Sequence, residues 1–172
     1  MKHKVILVDE EDREIGEAEK IEAHQNAWLH RAFSIFIFNS RGRLLLQRRD
    51  SDKYHSGSLW SNTCCSHPQP GSPLLQEAHR KLQLEMGFDC ELREVFHFTY
   101  RVELENGLFE HEFDHVFVGF HDGDPVPNPE EVEDWRWADL DELKVDLAAH
   151  PEQYSYWMKL VFDRVLSSLP RS

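Results

Sequence analysis

Pro73-Leu74-Leu75-Gln76-Glu77-Ala78-His79-Arg80-Lys81-Leu82-Gln83-Leu84-Glu85-Met86-Gly87 carries the clearest periodicity in the chain. Leu74, Ala78, Leu82 and Met86 recur every fourth residue and so form one apolar stripe of a helix. Pro73 suits the first turn, and Gly87 suits the left-handed residue that stops it. A helix is therefore expected from about Pro73 to Met86. Glu77, Lys81 and Glu85 form a second stripe beside the first. On composition alone this second stripe reads as a solvated face of i,i+4 ion pairs, each contributing about 0.2–0.5 kcal/mol.

Strands are expected on both sides of the helix. Val5-Ile6-Leu7-Val8 is a short apolar run ended by the acidic turn Asp9-Glu10-Glu11-Asp12. Ala32 to Asn39 is apolar on both faces, as expected of a strand covered on both sides. Ser40-Arg41-Gly42 turns it into a partner at Arg43 to Arg49. From Asp50 to Pro73 periodicity is lost, and a long irregular segment of this kind tends to be functional. Beyond the helix, Glu91 to Val102 and Leu108 to Phe120 read as long strands joined at Glu105-Asn106-Gly107. Val132 to Trp137 reads as a last strand, Asp139 as the start of a short helix, and Gln153 to Leu169 as an amphipathic closing helix. The pattern is a mixed sheet with two or three helices, α/β or α+β, in a single domain spanning residues 1–172.

The 172 residues hold 19 Lys+Arg and 32 Asp+Glu, a formal charge of −13. That field argues against a nucleic-acid or anionic-membrane binder, which gathers counterions through a basic face. A small anion held locally is still allowed. No apolar run approaches the roughly 20 residues needed to span a bilayer, and no signal-peptide pattern follows Met1. The expectation is a cytoplasmic protein, a monomer or weak dimer. Cys64, Cys65 and Cys90 are too few and too uneven for a disulfide scaffold. The 11 histidines are the unusual count, and together with the carboxylates they raise the question of a metal.

Three groups could carry chemistry. In Cys65-Ser66-His67, extended backbone puts Cys65 and His67 on one face while Cys64 looks the other way. Taken alone, the two cysteines read equally as small buried hydrophobes. In Phe109-Glu110-His111-Glu112-Phe113-Asp114, alternation puts Glu110, Glu112 and Asp114 together. Adjacent carboxylates on a half-apolar strand need a cation, a shared proton or water, unless the strand end is simply exposed. His24 and His30 precede the buried strand, and imidazole with carboxylate oxygen suits Mg²⁺, Mn²⁺ or Zn²⁺. Two histidines alone are more often surface or capping residues. Lys20, Arg48, Arg49, Lys53, Arg80 and Lys81 stand out as a possible phosphate pocket in an acidic chain.

Taken together, His24, Leu29-His30-Arg31-Ala32-Phe33-Ser34, Asn62-Thr63-Cys64-Cys65-Ser66-His67-Pro68, Glu85-Met86-Gly87, Tyr100, Glu110-His111-Glu112 and Tyr156-Trp157-Met158 resemble type I isopentenyl-diphosphate Δ-isomerases. The resemblance implies a Nudix-type fold, with mixed β-sheets sandwiched between helices and a catalytic core from about residue 20 to 160. It also shows a departure. The usual Nudix signature ends Arg-Glu-apolar-X-Glu-Glu-X-Gly, whereas Arg80 to Gly87 has Lys81 and Leu84 at two of the glutamate positions. That loss speaks against diphosphate hydrolysis and leaves Glu85.

By the same resemblance, His24, His30, His67, Glu110 and Glu112 ligate one divalent metal in a roughly octahedral site. Glu85 holds a second ion, Mg²⁺, on the substrate diphosphate, which Lys20, Arg49, Lys53 and Lys81 contact or neutralise. Cys65 and Glu112 are the opposed acid/base pair, with Tyr100 hydrogen-bonded nearby. Trp157 faces the cationic carbon, where a desolvated cation–π contact contributes about 2 kcal/mol or more. The implied partner is a small prenyl diphosphate. Two other readings are a Nudix-like diphosphate hydrolase, motivated by the helix, and a metal-binding module without activity, motivated by the His/Glu excess.

Overall fold

The computed structural model describes residues 3–49 and 58–169. In chain order its elements are β1 (Lys4–Val8), β2 (Glu14–Glu19), α1 (Lys20–Gln25), β3 (His30–Phe38), β4 (Leu44–Arg49), β5 (Trp60–Ser61) and β6 (Cys64–Ser66). There follow α2 (Leu74–Met86), β7 (Leu92–Glu103), β8 (Phe109–Phe120), β9 (Val132–Ala138), α3 (Leu140–Ala149) and α4 (Tyr156–Ser168). Lys53 and most of the first part of the expected irregular segment lie outside the described residues.

β3 organises the sheet. β8 runs parallel to it from His30↔Glu112 to Phe38↔Phe120, and β7 adds antiparallel to β8. The other edge of β3 is shared by β1 at Leu7↔His30, by β6 from Phe33↔Ser66 to Ile35↔Cys64, and by β4 at Phe38↔Leu44. β4 in turn carries β9 and the two-residue β5. Two apolar layers enclose β3. Phe36 and Phe38 pack with Met158, Val161, Phe162 and Val165 of α4. Phe33, Ile35 and Ile37 pack with Ala78, Leu82 and Met86 of α2. A strand covered on both faces by helices has no use for polar alternation, which is why its sequence has almost none.

α2 ends as its sequence requires. Gly87 adopts φ 75°, and its N–H donates to the Gln83 carbonyl. A Cβ there would stand 2.3 Å from the Val126 carbonyl oxygen, so side-chain volume is excluded as well. Asp139 caps α3 by accepting from the N–H groups of Asp141 and Glu142.

Several elements differ from expectation. There are four α-helices among the described residues rather than two or three. β2 and α1 were not expected: five of the six residues of β2 are exposed, and α1 is only six residues long, so neither has a readable apolar period. Within the irregular segment, Cys64–Ser66 is a strand held by β3. The closing helix begins at Tyr156 rather than Gln153. A 3₁₀ turn covers Pro151–Gln153, and Ser155 stays extended because its N–H donates to the Trp60 carbonyl and its hydroxyl bonds Ser61. No helix among the described residues is long and apolar enough to cross a membrane.

Candidate active site

His24 on α1, His30 at the start of β3, His67 just after β6, and Glu110 and Glu112 on β8 come together. Each offers one ligand atom, and these atoms all lie within 4.8 Å of one another. His24 and His30 are fully buried, Glu110 is 1% exposed and Glu112 7%, so the surface readings of both pairs are excluded. The backbone prepares the rings. His24 Nδ1 bonds the Lys20 carbonyl at 2.7 Å, and His30 Nδ1 bonds the Trp28 carbonyl at 2.9 Å. A carbonyl only accepts, so each Nδ1 is the protonated nitrogen and a neutral ring presents the Nε2 lone pair inward.

Those lone pairs face carboxylate oxygens. His24 Nε2 is 3.3 Å from Glu110 Oε1 and His30 Nε2 is 3.2 Å from Glu112 Oε2, while His67 Nε2, which in a neutral ring can carry the proton itself, stands 2.7 Å from the same Glu112 oxygen. Acceptor against acceptor needs a cation or added protons between them. Three imidazoles and two carboxylates fit a divalent first-row cation, so the cluster is able to hold one.

In the metal-free protein, proton balance is set by burial against pairing. Burial pulls the His67 imidazolium down to about 3. Burial also works against His30, but the hydrogen bond and charge of Glu112 raise it above its ordinary value. Glu112 is opposed by its own burial, yet the hydrogen bonds of His30 and His67 hold it well below the carboxylate range.

One cavity runs from this cluster to the surface. Its lining includes Phe33, Ser34, Cys65, His67, Glu85, Glu110, Glu112 and Trp157, with His3, Lys4, Lys20, Arg49 and Lys81 also on its wall. Cys64 points the other way into the α2 layer, as the alternation predicts. Cys65 and Glu112 approach from opposite sides, because β6 and β8 pair with opposite edges of β3. Burial, followed by the charge of Asp114, pushes the Cys65 thiol up to about 12. Tyr100 donates to Glu112 Oε1 at 2.6 Å; burial and then the charge of Glu112 raise its own ionisation well above the phenol range. Arg49 lies 5.3 Å from the Trp157 ring centroid, and its buried Nε has no hydrogen-bond partner among the described residues. A buried guanidinium N–H facing a cavity suits an anionic ligand.

The second stripe of α2 is not a solvated face. Glu77 and Glu85 are 3% and 5% exposed, and Lys81 and Glu85 line the cavity. Glu77 pairs with Arg80 at 2.7 Å instead of Lys81. Composition could not reveal this, since i,i+4 spacing reads the same whether a stripe meets water or a cavity wall. Leu84 is 45% exposed and does not line the cavity, so Lys81 is the replacement that changes the site.

Sequence reasoning left Asn62, Ser34 and Asp114 without roles. Ser34 lines the cavity beside Cys65, and its hydroxyl donates to the buried Asp114 at 2.8 Å. The signal for Asp114 was its place on the Glu110/Glu112 face. For Asn62 there was only its position in the cysteine motif.

Comparison with known proteins fits this geometry. A NUDIX domain matches residues 28–160. DR0079 from Deinococcus radiodurans superposes with a TM-score of 0.79 over 94% of this chain and 98% of that one, at 19% identity. The MutT protein from Methanosarcina mazei Go1 gives 0.67 over 81% and 94%, at 16% identity. Fold and site together define a Nudix-domain protein with a His/Glu cluster able to hold a metal, beside a cysteine. Isopentenyl-diphosphate Delta-isomerase 2 of Aromatoleum aromaticum is 58% identical over 167 residues, 97% of this chain and 88% of the relative. The isopentenyl-diphosphate Delta-isomerase of Pectobacterium atrosepticum is 52% identical over 161 residues, 94% and 90% of the two chains. The chain belongs to the isopentenyl-diphosphate Delta-isomerase family.

Proposed function

We propose that this chain interconverts isopentenyl and dimethylallyl diphosphate in isoprenoid biosynthesis, with Cys65 and Glu112 as the acid/base pair. The reaction moves a double bond from C3–C4 to C2–C3. A proton is added at C4, giving a tertiary carbocation at C3, and another is removed at C2. The observation that carries the reading is the approach of one thiol and one carboxylate from opposite edges of β3 into one cavity. At rest the thiol holds a proton and the carboxylate does not, which is the inventory a reversible two-proton exchange requires.

The other wall groups fit the remaining needs. Tyr100 holds Glu112 by its shorter oxygen contact and stays a phenol. Trp157 and Phe33 exclude water and offer π surface to the cation. Lys20, Arg49 and Lys81 meet the diphosphate, together with Lys53 from outside the described residues. When bound, a divalent ion (Mn²⁺, Mg²⁺ or Zn²⁺) on His24, His30, His67, Glu110 and Glu112 offsets the carboxylate charge, and Mg²⁺ with Glu85 neutralises the diphosphate. We also place the protein in the cytoplasm as a monomer or weak dimer, without nucleic-acid or membrane partners, in keeping with its charge of −13.

The hydrolase reading gains nothing from the site, because Lys81 stands where a metal-holding glutamate would be needed. Incubation with isopentenyl diphosphate and Mg²⁺ separates the two by product analysis. Isomer formation without phosphate release is expected; phosphate release without isomer would overturn the proposal.

A further inference from the structure

Asn62 is fully buried in the two-residue link between β5 and β6 and does not line the cavity. Its amide orientation is fixed from one side, where Nδ2 donates to the Ile35 carbonyl at 2.9 Å and to the Cys64 carbonyl at 3.1 Å. Oδ1 is thereby turned toward three donors: the Ser61 hydroxyl at 2.9 Å, the Cys65 thiol at 3.0 Å and the Trp157 indole N–H at 3.1 Å. Trp157 Nε1 is itself 2.9 Å from Cys65 Sγ, so Oδ1, Sγ and Nε1 form a closed triangle. Ser61 continues the set to Ser155, the residue before α4, at 2.9 Å. A single carboxamide thus joins the strand that carries Cys65 to the helix that carries Trp157.

We propose that Asn62 is a positioning residue, whose side-chain oxygen aims the Cys65 thiol and the Trp157 indole at the same point of the cavity. This rests on the roles proposed above for those two residues. Both are cavity-lining groups that must meet neighbouring carbons of one substrate, and an error of about 1 Å in such alignment can cost roughly 100-fold in rate. No other side chain supplies the same set. Aspartate loses both donors to buried carbonyls, and glutamine adds a methylene that carries its amide off the positions of these partners. Serine is too short to span from the Ile35 carbonyl to Sγ.

The test compares Asn62→Ala with Thr63→Val. Thr63 is equally buried and its hydroxyl also makes two hydrogen bonds, to the Leu45 carbonyl and the Ile37 N–H, but neither partner lines the cavity. Both variants lose buried hydrogen bonds and are expected to show lowered Tm. Only Asn62→Ala is expected to lower kcat, by roughly 100-fold with KM within threefold. Asn62→Ser serves in its place if the alanine protein does not fold. Equal kcat losses in the two variants, or a kcat for the Asn62 variant within threefold of the parent, would overturn the proposal. The emission of Trp157, taken as the difference between each protein and its Trp157→Phe counterpart, is read without substrate. It is expected to shift in the Asn62 variant, and an unshifted emission also overturns the proposal. An inactive parent protein with a shifted Trp157 emission would sink the catalytic reading and leave the positioning of the indole standing.

Discussion

Cys65 is held as a thiol by burial and the neighbouring Asp114, against weaker opposition from Ser34, Arg49 and Asn62. With its ionisation pushed up to about 12, its alkylation by iodoacetamide at pH 8 is expected to be far slower than that of the same cysteine in the unfolded chain. Mass analysis of the Cys65 peptide reads the rate, and equal rates would contradict the assignment. Tyr100→Phe removes one hydrogen bond to an ionised carboxylate. Such a bond contributes about 1.5–3 kcal/mol, so kcat is expected to fall roughly ten- to hundred-fold with KM unchanged. The pairing of Cys65 with His67 and of Glu110 with Glu112 was legible, because a strand's period of two decides which neighbours share a face. Asn62 was not legible, since nothing local marks a residue whose three donors come from positions 61, 65 and 157.

Among elements, β3, β8 and α2 were read almost to their ends because burial leaves a period or an unbroken apolar run. β6 was missed for the opposite reason: three residues that take their structure from β3 carry no period of their own. The charged stripe of α2 was misread because i,i+4 spacing looks the same on a solvated face and on a cavity wall. The stop of α2 leads to a prediction. Gly87→Ala meets both a positive φ and a backbone oxygen 2.3 Å from the new Cβ, so it is expected to destabilise by more than about 1 kcal/mol. Thermal unfolding measures it, and an unchanged Tm would show that this turn relaxes freely.

For the whole molecule, a charge of −13 and an anionic substrate are compatible because acidity is partly spent inside. Glu85, Glu110 and Glu112 are buried around the cavity while Lys20, Arg49 and Lys81 line it. The metal-free protein should therefore respond to acid. His67 falls from 6.5 to about 3 on folding, so between those values the unfolded chain binds a proton that the folded chain does not. Stability is lost as pH drops through that window, by at most about 1.4 kcal/mol per pH unit for one proton. Glu112, depressed on folding, adds to the loss below its unfolded value near 4.5. In chelator, His67→Asn is expected to flatten the fall of Tm between pH 6.5 and 4.5, and an unchanged slope would contradict this origin.

The central claim is that a proton enters at one carbon while another leaves its neighbour's neighbour, with the diphosphate intact. Turnover of isopentenyl diphosphate with Mg²⁺ in deuterated water, followed by NMR, tests it directly. The account predicts dimethylallyl diphosphate carrying deuterium in the methyl group formed at C4. Dimethylallyl diphosphate free of deuterium after many turnovers, or substrate left unchanged, would contradict it.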